Sequence, residues 1–458
     1  MKHIRYYLFL FLAASILNGC GLYTRYSRPE LDICTDSLYR SAVAQTDSST
    51  IASKPWRELF TDSCLQTLIT IGLQRNTDLD IARLQVEEAR AVLQNARLSY
   101  LPSISLTPQG SISRYNGETK NVYDIGAAAS WELDIFGRVT NTKRAALASF
   151  EQSRAYVQAV QTQLVATIAE SYYTLLMLDE QLDISNETLA NWTETIATLE
   201  ALVQAGKSND VAVHQARANR SALEASIIQT IRKSISETEN ALSALLKEPA
   251  HTIERGTLSS QHFSDNISVG IPLQLLSNRP DVRQAEATLA EAFYTTNSAR
   301  AAFYPSLTLS GTLGWTNNGN GVTVNPGKWL SSAIASLTAP LFNKGTNVAN
   351  LKVAKARQQE AVLQFEQSLL DAGNEVNNAL TGWQTADRRI RFDEEQVTEL
   401  EAATEKTKLL VRYTSSTYLE VLTAQQSLLD ARLTLAQDRI EKIQAIISLY
   451  HALGGGVE

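Results

Sequence analysis

Two periodicities alternate along this chain. From Leu65 to Ser99, apolar residues fall at Leu65, Leu68, Ile69 and Leu73, then at Leu79, Ala82, Val86, Ala89 and Leu93. Spacings of three and four predict an amphipathic helix. Pro102 ends it, and Ile104, Leu106, Gly110 and Ile112 then alternate with Ser103, Ser105, Thr107, Gln109, Ser111 and Ser113 at the period of a strand. A second alternating run carries Tyr123, Ile125, Ala127, Ala129, Trp131 and Leu133, with the polar Tyr115 to Asn121 read as the turn or loop between the runs. The predicted β-hairpin covers 103–133. The same alternation returns with Leu307, Leu309, Gly311, Leu313 and Trp315, then Ala333, Ala335, Leu337, Ala339 and Leu341, predicting a second hairpin over 306–341 with Asn317 to Lys328 as its loop.

Long stretches without helix breakers separate these hairpins. Arg138 to Ala205 contains neither Gly nor Pro, enough for a helix about 100 Å long at about 1.5 Å per residue. Lys207 to Glu248 and Tyr413 to Leu453 also lack both, and Thr346 to Arg412 contains only Gly373 and Gly382. Short breaks at Ala205-Gly206-Lys207-Ser208 and Tyr413-Thr414-Ser415-Ser416 divide a long helix from a shorter one, as an antiparallel helical hairpin requires. Val157, Val160, Leu164, Ile168, Tyr172 and Leu175 form one stripe of the first long helix, and Ala155, Ala159, Ala166 and Ala169 another. Two stripes call for neighbours on two sides, as in a closed ring of helices, whereas a coiled-coil stalk needs only one.

The chain is written twice. Asn95 to Leu106 aligns with Ser298 to Leu309 at a shift of 203, and Ile168 to Tyr172 aligns with Val376 to Leu380 at 208. Ser208, Val213 and Ala216 align with Ser416, Val421 and Ala424, also at 208. A repeat of about 200 residues is too long for a solenoid unit and reads as duplication of a structural half. The resulting organisation is a signal peptide (1–19), an N-terminal irregular segment (20–62), a first repeat (63–250), a linker (251–272) and a second repeat (273–458).

The N-terminus gives the destination. Lys2, His3 and Arg5 precede the apolar Tyr6 to Leu17, and Leu17-Asn18-Gly19-Cys20 follows, the layout of a secretory signal too short to span a membrane as a helix. Leu-x-Gly-Cys resembles a bacterial lipobox, which implies lipidation of Cys20 as the mature N-terminal residue. Removing 1–19 takes Lys+Arg from 41 to 39 against 48 Asp+Glu, a formal charge of −9, which argues against a nucleic-acid partner. Cys34 and Cys64 then remain as an even pair in an oxidising compartment, a candidate disulfide, with two separately buried thiols as the alternative.

The hairpins pose a closure problem. Main-chain polar groups in lipid must be paired within the protein, and single-chain bacterial barrels begin at about 8 strands. Four predicted strands per chain are too few, so several chains must contribute to one barrel. The alternative is that the hairpins form small water-exposed sheets.

With these patterns in place, the chain resembles the TolC/OprM-type outer-membrane factors, in the lipoprotein branch that serves resistance-nodulation-division efflux pumps. The resemblance is carried by Trp56-Arg-Glu-Leu-Phe60 with Asp62, Leu65 and Asn76-Thr-Asp-Leu79, by Leu133-Asp-Ile-Phe-Gly-Arg-Val139, and by Leu275-Leu-Ser-Asn-Arg-Pro-Asp-Val282 with Ala285-Glu286. Phe303-Tyr-Pro-Ser306, Tyr418-Leu-Glu-Val-Leu422 with Ala424-Gln425, and the terminal Ala452-Leu-Gly-Gly-Gly456 complete it. It implies an α+β membrane protein: a homotrimer in the outer membrane with a 12-stranded transmembrane β-barrel, four strands per chain, above a long α-helical periplasmic barrel. It also implies an exit duct for small molecules such as drugs or toxic compounds, opened by a periplasmic adaptor and energised by an inner-membrane pump, with no catalysis and no cofactor.

The resemblance also assigns roles at the hairpin tips. Ala205, Gly206, Ser208, Val211, Thr414, Ser416, Leu419 and Val421 match adaptor-docking positions, and Leu419 also matches an apolar constriction. Thr423 and Gln426 stand where some relatives carry an aspartate and an arginine that form a charged gate, and Asp210 and Glu420 are nearby carboxylates that join the aperture candidates. Two other readings stay open: a type I secretion duct for proteins or peptides, and a surface coiled-coil lipoprotein acting as adhesin or scaffold.

Catalytic signatures are missing from the sequence. It holds no G-x-S-x-G, H-E-x-x-H or C-x-x-C, and Trp329 follows Lys328 where a P-loop needs Ser or Thr. The histidines at 3, 214, 251, 262 and 451 are scattered and Met177 is the one mature methionine, so no metal site is predicted and a dedicated copper or silver route is disfavoured.

Overall fold

The computed structural model describes residues 24–30, 51, 54–261, 263, 279–316, 328–413 and 418–456. The signal peptide, Cys20, Cys34, the 317–327 loop and the tip residues Thr414 and Ser416 lie outside the described residues. The chain divides into two compact units, one of Met1–Asp32, Leu84–Ala155 and Arg283–Gln367, the other of Ile33–Arg83, Tyr156–Val282 and Ser368–Glu458.

The first unit carries an antiparallel sheet of β1 (Ser103–Leu106), β2 (Gln109–Tyr115), β3 (Glu118–Leu133), β4 (Ser306–Thr316) and β5 (Lys328–Thr338). β1 and β2 lie in succession along β3, so the five segments make four ribbons in the order β1/β2, β3, β4, β5. The gap between them falls at Thr107-Pro108, where proline has no N–H to give the ladder. Of the turn or loop expected over 115–121, the structure has a turn, confined to two residues. Tyr115 pairs with Glu118, and Asn116 (φ 48°) and Gly117 (φ 84°) both take the positive φ of a type I′ turn. The two predicted hairpins are also joined, because β3 and β4 pair from Asp124–Thr316 to Leu133–Leu307.

Register sorts the side chains by face. Rows run Leu133–Leu307–Leu337, Trp131–Leu309–Ala335 and Ile125–Trp315–Trp329, with Ile104–Ala129–Gly311–Ala333 between them. The opposite face reads Ser103–Ser130–Ser310–Ile334, Ser105–Ala128–Thr312–Ser332 and Glu132–Thr308–Ser336, richer in hydroxyls, with Ile334 and Leu330 as apolar members on β5. Gly126 faces Gly314 across β3 and β4, where a Cβ on Gly314 would lie 2.3 Å from the Ile125 carbonyl oxygen. Only glycine fits there. β1/β2 at one side and β5 at the other are each paired along one edge only within the described residues.

The sheet passes into helix at α4 (Arg138–Gln204) through Gly137, at φ 74°. Asp134 accepts from the Val139 N–H at 2.9 Å and the Thr140 N–H at 2.7 Å, which caps α4. The motif Leu133 to Val139 is therefore a strand-to-helix joint. In the same unit an N-terminal strap, residues 24–30, lies against α7 (Pro280–Ala301) and α8 (Thr346–Tyr413). The Tyr26 N–H donates to the Tyr294 hydroxyl (3.1 Å), Arg28 pairs with Glu286 (2.6 Å) and stands over the Phe365 ring, and Arg144 of α4 donates to the Thr24 carbonyl (3.3 Å).

In the second unit, α1 (Trp56–Leu59) and α2 (Ser63–Arg75) bury Trp56, Phe60, Leu65 and Ile69 against Tyr172, Tyr173 and Leu175 of α4. The single helix predicted from Leu65 to Ser99 is broken at Asn76. Its side chain accepts from Leu79 N–H (3.0 Å) to cap α3 (Thr77–Leu98), and donates to the Leu245 carbonyl (3.0 Å). The hydrophobic period crosses the break without a phase change, so periodicity alone could not show it.

Two arginines, the half-buried Arg255 and the buried Arg279, anchor this unit. Arg255 pairs with Asp179 of α4 and with Glu239 of α6 (Gln229–Leu245), each at 2.5 Å. Arg279, 3% exposed, pairs with Asp281 (2.6 Å) and Glu375 (2.7 Å) and donates to the Ala452 carbonyl (2.7 Å) at the end of α9 (Tyr418–Ala452). A cation on the last carbonyls of a helix opposes the negative end of its dipole. Burial would lower the Arg279 pKa, but its carboxylate partners outweigh that and raise it, while the arginine holds Asp281 below the usual carboxylate range. The Arg-Pro-Asp motif is thus a clasp between the start of α7 and the end of α9.

Candidate functional site

The hairpin between α4 and α5 (Asp210–Ala222) closes with a Schellman motif. Gly206, at φ 70°, donates to the Val203 carbonyl (2.9 Å), and Lys207 donates to the Leu202 carbonyl (2.8 Å). Asn209 then caps α5 by accepting from Ala212 N–H at 3.3 Å. This turn leaves Ala205, Gly206, Asp210 and Val211 exposed and Ser208 half-buried. Below it, Ala212, Val213, Ala216 and Leu223 pack on Trp192, Ile196 and Leu199 of α4 and on Leu422 and Leu429 of α9.

The second tip enters the described structure at Tyr418. Leu419 is 59% exposed, an apolar side chain with no cover in the single chain, and Glu420 and Thr423 are exposed beside it. Val421, a docking position by resemblance, is buried at 4% exposure, so its side chain is part of the packing rather than of the accessible surface. Gln426 donates to Asp430 on its own helix (3.0 Å), and Gln425 donates to Thr195 of α4 (3.0 Å). The crevice among Thr195, Leu199, Lys408, Tyr418 and Val421 has a volume of about 40 Å³, far too small for a transported solute. Cys64 is half-buried and gives its N–H to Asp62 at 2.8 Å.

A charged ladder that sequence reading missed runs behind the tips. Arg432 of α9 pairs with Glu187 of α4 (3.0 Å) and Glu401 of α8 (2.5 Å). Arg439 pairs with Glu180 and Glu394, each at 3.3 Å. Each rung is displaced from the other by seven residues on all three helices, the period at which packed helices meet the same neighbour. Next on α8, Asp387 pairs with Lys442 (2.8 Å) and Arg391, which lower its pKa. The signal was available as Glu and Arg at heptad spacing, but it cannot be read until the helices are known to be neighbours.

One carboxyl beside the ladder is paired but buried. Asp438 of α9 is fully buried, bonded to Arg389, and close to Asp393 and Glu441. Burial, and then the hydrogen bond and charge of Asp393, push its pKa up to about 6 despite Arg389. Elsewhere the groups form no chemistry-bearing cluster: among the described residues no three His, Cys, Asp or Glu side chains gather as ligands of a metal ion would.

Comparison with known proteins places this geometry. The family model described as outer membrane efflux protein matches residues 68–247 and 271–455. The chain is 31% identical over 451 residues to the cation efflux system protein CusC of Escherichia coli strain K12, covering 97% of this chain and 98% of that one. It is 29% identical over 458 residues to the solvent efflux pump outer membrane protein SrpC of Pseudomonas putida, with 97% of each covered. Among solved structures, that of CusC, determined in a crystallographic study of its folding and transmembrane channel formation, superposes with a TM-score of 0.84 at 30% identity over 94% of this chain and 99% of that one.

Proposed function

The chain belongs to the outer membrane efflux protein family, and from that premise we propose that three copies close their sheets into one membrane-spanning barrel. The protein is an outer-membrane efflux channel, the exit duct of a tripartite pump. The open-edged sheet supports a barrel shared between copies, and the resemblance to trimeric ducts sets their number at three. Among the described residues, four ribbons leave two edges of unpaired N–H and C=O groups, and in lipid such groups cost several kcal/mol each. Three sheets joined edge to edge, β5 to the β1/β2 edge of the next copy, give 12 ribbons and no free edge.

The apolar face fits a bilayer. From Leu133 to Tyr123 is ten residue steps of β3, about 34 Å at about 3.4 Å per residue. At a tilt of about 40° this is about 26 Å of height, against an apolar band of about 25 Å in outer-membrane barrels. Trp131 lies toward one end, with Trp315 and Trp329 packed at 4.9 Å toward the other, where aromatic girdles belong. The hydroxyl-lined face then faces the lumen.

In this reading the helices form the periplasmic part of the duct, Cys20 carries the lipid anchor, and a periplasmic adaptor docks at the tips around Ala205 to Val211 and 414–419. The adaptor opens the aperture by binding the separated tips better than the closed ones. The relatives named for cation and for solvent efflux match almost equally, at 31% and 29%, which favours a passive duct whose cargo is chosen by its pump. Leu419, apolar and exposed at the tip, is the constriction.

Recording from planar bilayers tests the gate. The purified protein should show a small closed-state conductance, raised severalfold by Leu419→Ser. A wild-type pore already fully open without a partner defeats the gated-duct reading.

A further inference from the structure

The two helical hairpins of the chain differ by one residue, and the structure shows where. At the tips the repeats align at a shift of 208, since α5 begins at Asp210 and α9 at Tyr418. At their other ends both helices close in Schellman motifs: Lys247 donates to Ala244 and Glu248 to Ser243, while Gly454 donates to His451 and Gly455 to Tyr450. There the shift is 207. The first hairpin therefore holds one extra residue between tip and base.

That residue sits in Leu223–Ile228, a π-helical segment joining α5 to α6. Inward-facing positions along the first hairpin run Ala216, Leu223, Ile228, the half-buried Ile235 and Leu242, at steps of seven, five, seven and seven. Their counterparts Ala424, Ala431, Leu435, Lys442 and Leu449 step by seven, four, seven and seven along the unbroken α9. A π turn absorbs one added residue without rotating the helix beyond it, and leaves one carbonyl of the ladder without its amide. Thr230, just past the segment, donates its hydroxyl to the Ser226 carbonyl one turn back, as Thr195 and Thr238 do to Asn191 and Ser234 on regular helix. Glu224, Ala225 and Ser226 are exposed in the single chain, so nothing within it braces the outer side of the segment.

We infer that Leu223–Ile228 is a hinge on which the first hairpin's tip swings relative to its base. The inference rests on the gated-duct reading for its purpose, because a tip that separates must bend somewhere. The base cannot move freely: Glu239 is held by Arg255, and Leu242 and Leu246 are in the main core. The tip side is tied by the smaller cluster around Trp192 and by the exposed Arg217–Glu200 pair at 2.6 Å. Bending is thus favoured where the helical ladder is irregular, with Leu223 and Ile228, both packed into the cluster around Trp192, as the pivot.

Hydrogen exchange on the full-length, detergent-solubilised protein is the direct measurement. Amides 223–229 should exchange at least tenfold faster than those of 212–220 and 231–245; equal rates overturn the hinge. Deleting Ala225 shortens the five-residue step to four and makes the helix continuous. That variant should fold, lose the fast exchange, melt higher than wild type and open severalfold less often in bilayers. Wild-type opening of the deletion variant overturns the inference, and so does its failure to fold. A wild-type protein with no conductance at all would sink the duct reading, while the exchange contrast would still judge the hinge.

Discussion

Asp438 shows how far a single side chain can set the pH behaviour of a helix pair. Its folded pKa, about 6, lies above the ordinary value of 3.8, so the folded state binds the proton more tightly than the unfolded chain does. The resulting stabilisation is complete below about pH 4 and disappears as pH rises through about 6. Asp438→Asn removes the charge permanently. We expect it to stabilise the protein by about 1 to 3 kcal/mol at pH 8 and to have little effect at pH 4, read from thermal melts at both values. An equal change at both pH values rules out the proton as the cause. Residue-scale chemistry of this kind was poorly legible in the sequence. Arg279 stood out only as part of an Arg-Pro-Asp motif, because its partners Glu375 and Ala452 are 96 and 173 positions away. Leu419 was legible as an exposed apolar tip residue by resemblance, whereas the burial of Val421 two positions later depended on which face α9 turns toward Trp192.

Elements were read more reliably than contacts. Alternation marked both hairpins, and the absence of Gly and Pro in α4 and their scarcity in α8 bounded these helices to within a residue or two, since both signals are local. Asn116-Gly117 was visible but was absorbed into a longer loop. The pairing of β3 with β4 was not legible at all, because no local pattern connects segments about 190 residues apart. The facing glycines at that joint give an element-scale prediction. Gly314→Val must move the Ile125 carbonyl or break the β3–β4 ladder, and overpacking of this sort costs about 1 to 3 kcal/mol in each copy. Gel mobility of unheated membrane extracts should show the heat-modifiable assembled species depleted more than tenfold, with far-ultraviolet helicity retained by the soluble remainder. Normal assembly would mean that the two strands separate more easily than their register implies.

At the scale of the molecule, the prediction concerns number. Four ribbons per chain, a minimum of about eight for closure and a symmetric ring permit two, three or more copies, and the resemblance to trimeric ducts selects three. Native mass spectrometry from detergent should give three times the mature chain mass, and a dominant species of two or four copies would replace the 12-ribbon barrel. The Arg432 and Arg439 rungs belong to this scale too, since each joins α9 to two long helices at once and so stiffens the layer that the tips must work against.

The N-terminal strap sets one further limit. From Cys20 to Thr24, whose carbonyl is held by Arg144, is four residues, a leash of at most about 14 Å when fully stretched. On the proposed lipidation of Cys20, fatty chains there would hold each newly delivered copy close to the bilayer. The search for two companions would then take place in a plane rather than in a volume, and insertion would begin from molecules sharing one orientation.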